Sequence, residues 1–325
     1  MMDAMEAIGR YQLRHRLGAG AFATVWLAHD PDLAVPVAVK VLADNWSSDL
    51  DIRHRFLAEA RLLRRLSDDR VVRVHDLGEL ADGRPYFVMD YVDGGTVADL
   101  LKAVVASDGA REPARALAIG ADAARGLHVL HEHGVVHRDV KPGNLLLTER
   151  GGRDHVVIAD LGMAKSLAES SGLTVTAGTP AYMAPEQAHG TKGFDERADV
   201  YAAAAVTYAL LTGRAPYAVD DGLLSIATRD PKLTPAPVAP VAGTPRELDE
   251  LLRSALAHDP ARRPRTALEL ADRLDGIRHR LDAGTTASTE PDPTAAWAGG
   301  ALAGLAAATF AVFTLATWLT LRLLG

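Results

Sequence analysis

His137-Arg138-Asp139-Val140-Lys141-Pro142-Gly143-Asn144 lies between two short apolar runs, Val135-Val136 and Leu145-Leu146-Leu147. A carboxylate at Asp139 can accept a hydroxyl proton or orient that hydroxyl. Lys141 can neutralise charge on a phosphoryl group in transfer, and Asn144 offers a hard oxygen to Mg²⁺. Sixteen residues beyond Asn144, Asp160-Leu161-Gly162 follows the apolar run Val156-Val157-Ile158 and sets a second oxygen ligand at a predicted strand end. Asn144 and Asp160 would complete a metal site beside the acid Asp139 and the cation Lys141.

Upstream, residues 10–92 alternate apolar runs with turns. Residues 25–28, 37–42 and 86–89 read as strands, the last placed after an Asp82-Gly83 turn signal. Residues 53–66 read as a helix, because Phe56, Leu57, Ala60, Leu63 and Leu66 fall near helical spacing. Gly18-Ala19-Gly20-Ala21-Phe22-Ala23-Thr24-Val25 holds two glycines that let backbone approach a phosphate. It leads into a strand, which argues against a Rossmann loop and a Walker loop. Lys40 closes Val37-Ala38-Val39-Lys40, and a lysine on an apolar strand needs a partner or an exposed face. Glu59, nineteen residues on, is one candidate partner; its many arginine neighbours, such as Arg55 and Arg61, leave surface pairing as its other role.

Downstream, helical patterns occupy residues 97–106, 112–133, 198–212, 245–257 and 266–281. Gly213 stops one of them, and Asp259-Pro260 and Arg263-Pro264 separate the last two. Residues 230–245 hold five prolines and read as a loop. Residues 282–293, rich in Thr, Ala, Gly and Pro, read as a linker.

Composition sets outer limits. The 325 residues carry a formal net charge of -7, which gives no pull toward nucleic acid. Without cysteine the chain has neither disulfides nor thiolate metal sites. Residues 295–321 are overwhelmingly apolar and uncharged, longer than the roughly 20 residues a membrane helix needs. A buried core helix is the alternative, but such helices are usually shorter and keep a polar face. Ala296, Gly300, Gly304 and Ala308 recur every four residues there, a spacing that lets two membrane helices approach closely.

Together these motifs resemble the bacterial eukaryotic-like (Hanks-type) serine/threonine protein kinases, from about residue 11 to 281. The resemblance implies an α+β, two-lobed kinase domain over residues 10–281. Its β-rich N-lobe would cover about 10–92 and its helical C-lobe about 93–281. A linker at 282–294 and a single C-terminal transmembrane helix at 295–321 would follow. ATP would lie among Leu17, Gly18, Ala19, Gly20, Val25, Ala38, Met89, Asp90, Val92 and Leu146, with Lys40 on its phosphates and paired to Glu59. Asp139 resembles the catalytic base, assisted by Lys141, while Asn144 and Asp160 resemble the ligands of Mg²⁺ or Mn²⁺. Asp199 resembles the acid that braces the catalytic loop, and Arg263 the partner of Glu186 in Ala184-Pro185-Glu186. Two positions depart from the family pattern: Ala23 replaces a third glycine, and Leu161 a phenylalanine.

Residues 163–185 would form the activation segment, with Thr174 and Thr176 as autophosphorylation sites and Arg138 as phosphate partner. Thr179 would contact the catalytic loop. The expected partners are ATP, protein substrates, the membrane through the C-terminal helix, and a second copy of the chain; nucleic acid is not expected. The expected location is the cell membrane, single-pass, with the kinase domain cytoplasmic. The rival expectation is a membrane-tethered, ATP-binding pseudokinase scaffold.

Overall fold

The computed structural model describes residues 7–106, 112–162, 180–189, 194–218, 223–239 and 244–287. Its N-terminal part is built on β1 (Ala7–Ile8), β2 (Tyr11–Ala19), β3 (Ala23–Asp30), β4 (Val35–Leu42), α1 (Leu50–Arg65), β5 (Val74–Glu79) and β6 (Pro85–Asp90). The strands form one antiparallel sheet in the order β1-β2-β3-β4-β6-β5. Successive side chains on a strand face opposite ways, and this divides β4. Val37, Val39 and Val41 join a core with Ile8, Tyr11, Trp26 and Val88, whereas Ala38 and Lys40 line a cleft on the other face. Register sets Lys40 beside Val25 and Ala38 beside Met89.

Helix α1 begins three residues before the predicted start. Asp49 caps it, its carboxylate accepting from the backbone N–H of Asp51 at 3.1 Å and Ile52 at 3.0 Å. Its buried face carries Ile52, Phe56, Glu59, Ala60 and Leu63. Arg53 donates to the Gly83 carbonyl, and Arg64 to the carbonyls of Val74 (3.1 Å) and His75 (2.5 Å), so both ends of the helix are tied to the sheet.

The C-terminal part is helical. It holds α2 (Val97–Ala106), α3 (Pro113–Glu132), the hairpin β7 (Leu145–Arg150) and β8 (Arg153–Ile158), α4 (Pro185–Ala188), α5 (Arg197–Thr212), α6 (Leu223–Ala227), α7 (Arg246–Ala255) and α8 (Ala267–Ala287). Helix α5 is buried along nearly its whole length and ends at Gly213, whose φ of 77° suits a glycine C-cap. Gly120 of α3 allows its close approach: a Cβ there would meet Thr207 Oγ1 at 2.2 Å. The two parts join where the loop after α1 docks on β8. Val72 N donates to Ile158 O at 2.9 Å, and Ile158 N to Arg70 O at 2.7 Å.

The C-terminal boundary differs from expectation. Helix α8 runs to Ala287, six residues into the stretch read as a linker. Asp, Ala and Thr at 282–287 do not stop a helix, the single Gly284 is tolerated, and the first proline comes at Pro291. The chain divides into units 1–278 and 279–325. The expected transmembrane helix 295–321, with its small-residue face, lies outside the described residues. Among the described residues no helix is long and apolar enough to cross a membrane.

Candidate active site

Lys40 sits on the cleft face of β4 and reaches two carboxylates. Its Nζ donates to Glu59 Oε1 at 2.7 Å and to Asp160 Oδ1 at 3.0 Å. The Lys40 and Glu59 side chains are buried, so Glu59 does not take the surface role its arginine neighbours suggested; Asp160 is 48% exposed toward the open cleft. Burial pulls the Lys40 ammonium down, and the charges of Asp160 and Glu59 more than reverse this, so its pKa is raised and it stays protonated. Burial pushes the Glu59 carboxyl up, against the pull of Lys40. For Asp160 burial also pushes upward, but Lys40 and then Lys141 outweigh it and hold the carboxyl at about 2.

The segment between α3 and β7 supplies the opposite wall. Lys141 Nζ donates to Asp139 Oδ2 at 2.7 Å. Asn144 Nδ2 donates to the Asp139 carbonyl at 2.8 Å and to Oδ2 at 3.2 Å. This commits the amide nitrogen to Asp139, so Asn144 Oδ1 is the atom that can ligate a cation. Asp199 at the start of α5 holds the segment from beneath. It accepts from the backbone N–H of His137 (2.7 Å) and Arg138 (2.9 Å) and from His131 Nε2 (2.8 Å). Arg138 and Asp160 have φ of 70° and 59°, left-handed values that cost a non-glycine residue energy and cluster at functional sites. Gly162 lies close beside Asp139, where a Cβ would stand 2.9 Å from the Asp139 Cβ.

Lys40, Glu59, Asp139, Lys141, Asn144 and Asp160 share one cavity of about 750 Å³. Every residue assigned from sequence to ATP, to the metal or to catalysis lines it, Leu17 and Val92 included; Thr174 and Thr176 fall outside the described residues. Phe56 and Leu63 of α1 also line it; from sequence they had only a place at helical spacing, with no role at the site. His131 was likewise missed; its signal was its place at the C-terminal end of the helix leading into the His137 segment. One carboxylate and one amide oxygen suit Mg²⁺, which keeps several waters and is completed by substrate phosphates; Mn²⁺ accepts the same donors. Arg263 makes a bidentate pair with Glu186, Nη1 to Oε1 at 2.6 Å and Nη2 to Oε2 at 2.8 Å, and its side chain is fully buried.

Residues 11–273 match the family described as the protein kinase domain. Serine/threonine-protein kinase PknJ of Mycobacterium tuberculosis is 38% identical over 276 residues, covering 83% of this chain and 46% of that protein. Serine/threonine-protein kinase PknB of Mycolicibacterium smegmatis is 39% identical over 277 residues, 83% of this chain and 43% of its own length. This chain thus spans less than half of the curated relatives it matches. The crystal structure of the Mycobacterium tuberculosis PknI kinase domain superposes with a TM-score of 0.64 at 31% identity, covering 83% of this chain and 97% of that one. With a match running from β2 into the last described helix, this chain belongs to the protein kinase domain family.

Proposed function

We propose that this protein is a serine/threonine protein kinase that transfers the γ-phosphoryl group of ATP to hydroxyls of protein substrates. The observation that carries the reading is Asp139, flanked by Lys141 at 2.7 Å and Asn144 at 3.2 Å, in one cavity with Lys40, Glu59 and Asp160. The adenine would lie between the apolar side chains of Val25, Ala38 and Leu146, with Met89 behind it and backbone groups of residues 90–92 at its edge. Lys40, aimed by Glu59, would hold the α- and β-phosphates. A bound Mg²⁺ would neutralise phosphate charge between Asn144 and Asp160.

In the reaction the hydroxyl oxygen of the acceptor forms a bond to the γ-phosphorus as the bond to the β–γ bridging oxygen breaks. ADP leaves, and the hydroxyl proton passes to Asp139. Lys141 stabilises the charge on the moving phosphoryl group, which requires little from the protein beyond position and electrostatics. The named serine/threonine kinase relatives support the acceptor class, and retention of every charged group argues against a pseudokinase scaffold.

The finer parts of the reading are the domain limits, 10–281, and a C-terminal transmembrane helix that keeps the kinase domain on the ATP side of the membrane. Thr174 and Thr176 are proposed as autophosphorylation sites that engage Arg138. Radiolabelled ATP supplied to wild type and Asp139→Asn tests the activity, and mass spectrometry of residues 163–180 tests the sites. The expected result is a drop in incorporation of at least about 100-fold in the variant, with phosphate on Thr174 or Thr176 of the wild type. Equal incorporation in the two proteins would remove Asp139 from catalysis.

A further inference from the structure

The turn from β2 to β3, residues 20–22, is short and holds one glycine, Gly20, with Gly18 just before it in β2. Here it is held from outside. Trp46 ends a short 3-10 turn, Asp44–Trp46, between β4 and α1. Its indole Nε1 donates to the Ala21 carbonyl at 2.7 Å. Its ring stacks on Phe22 at the loop tip, with centroids 5.2 Å apart and planes inclined by 21°. A second bond comes from the same connection, Ala43 N to the Phe22 carbonyl at 2.9 Å. Inside the loop, Gly20 N closes a turn on the Ala23 carbonyl at 2.8 Å, and Ala23 is buried in register with Leu42.

We infer that Trp46 is a positioning residue for ATP, acting through the glycine-rich loop rather than by touching the reacting atoms. This rests on the kinase reading. In a trans peptide the carbonyl and the following N–H point in opposite directions. With the Ala21 and Phe22 carbonyls both drawn to the β4–α1 connection, the N–H groups of Phe22 and Ala23 are turned the other way. Gly20 N–H is already used within the turn. Donors set in advance spare the ligand the cost of ordering the loop, which is how preorganisation raises affinity. The same segment leads directly into α1, so the tether also links loop position to the helix that carries Glu59. Ala23, in place of a glycine, agrees with a loop that needs little freedom. The Trp46 ring accordingly acts on ATP binding more than on the transfer step.

The purified full chain tests this with Mg·ATP as the probe. Affinity is read by titration calorimetry, and the transfer rate by autophosphorylation at saturating ATP. Trp46→Ala is expected to weaken ATP binding by about 5- to 20-fold, the loss of one aromatic stack and one hydrogen bond, while the saturated rate stays within about 2-fold. Trp46→Phe, which keeps a stacking ring but no N–H, is expected to recover only part of that loss and to bind about 2- to 4-fold more weakly than wild type. Tryptophan emission should change on Mg·ATP addition to wild type and not to Trp46→Phe. Should Trp46→Ala fail to fold, Trp46→Phe must still weaken binding without slowing the saturated rate. Variants that bind ATP as wild type does, or that lose rate at unchanged affinity, overturn the tether. A wild type that binds no Mg·ATP overturns the kinase reading itself, a result separate from either.

Discussion

Lys40 is a lysine on an apolar strand with its ammonium out of water, and such a charge must be matched. It is matched twice, by Glu59 at 2.7 Å and Asp160 at 3.0 Å. The two partners differ in what their loss would do. Glu59→Gln keeps the volume and leaves Lys40 its ion pair with Asp160, so no buried charge is stranded. Burial also disfavours the Glu59 carboxylate, which offsets much of what the pair contributes to stability. Glu59→Gln is therefore expected to move the unfolding midpoint by only about 1 kcal/mol in equivalent stability. A misplaced Lys40 costs alignment, and phosphoryl transfer is expected to slow by about 10- to 100-fold. Thermal unfolding beside single-turnover rates checks the contrast; a large loss of stability with normal rates would show that the pair serves the fold.

Elements place these residues, and their boundaries follow local chemistry. Asp49 starts α1 earlier than apolar spacing alone suggested, and Gly213 ends α5 where a glycine stop was read. Helix α8 overran its predicted end because no proline or cap intervenes before Ala287. The five-residue α6 carries too few residues to show a period and was not seen in the sequence. The segment joining β6 to α2 is the tightest of these joints. A Cβ on Gly94 would stand 2.2 Å from the Leu147 carbonyl oxygen and 2.8 Å from its carbon. Both are backbone atoms, and Leu147 N is itself bonded to Gly95 O at 2.9 Å, so neither can swing aside. Gly94→Ala is expected to destabilise the protein by about 1–3 kcal/mol and to weaken ATP binding by shifting residues 90–92. Urea denaturation and ATP titration measure the two effects, and an unchanged protein would show that the joint relaxes freely.

At the scale of the molecule, the cleft exists because the sheet and the helical part are fastened behind it. Asp122 of α3 accepts from Arg70 Nε (3.0 Å) and from Val156 N (2.7 Å), and its carboxylate lies 2.9 Å from His155 Nδ1. This joins the loop after α1, the helix α3 and the strand β8, which ends at Ile158, two residues before Asp160. The apolar run at 295–321 is long enough to anchor the protein. A chain ending at Ala287 is expected in the soluble fraction with its kinase activity kept, while the full chain sediments with membranes. If the Gly300–Gly304 face brings two copies together, the shortened chain should also autophosphorylate more slowly when dilute, and Gly300→Ile with Gly304→Ile should lower crosslinked dimer yield. Equal fractionation of the two chains would refute the anchor.

Much of the site was legible from residue order. Asp139, Lys141 and Asn144 lie within six positions of one another, and the chain makes their spacing local; Asp160 follows a short apolar strand, and Lys40 lies on another. Charge, cysteine content and the apolar terminus likewise follow from composition alone. What depended on the tertiary structure is which face each element turns inward. Whether Glu59 meets solvent or Lys40, that Phe56 and Leu63 reach the cavity, that His131 joins Asp199 beneath the segment at His137, and that Trp46 holds the loop at Ala21 are matters of contact across 19 to 68 residues. Local periodicity carries no information about such partners, because burial is a property of the packed surfaces and arises only once sheet and helices meet.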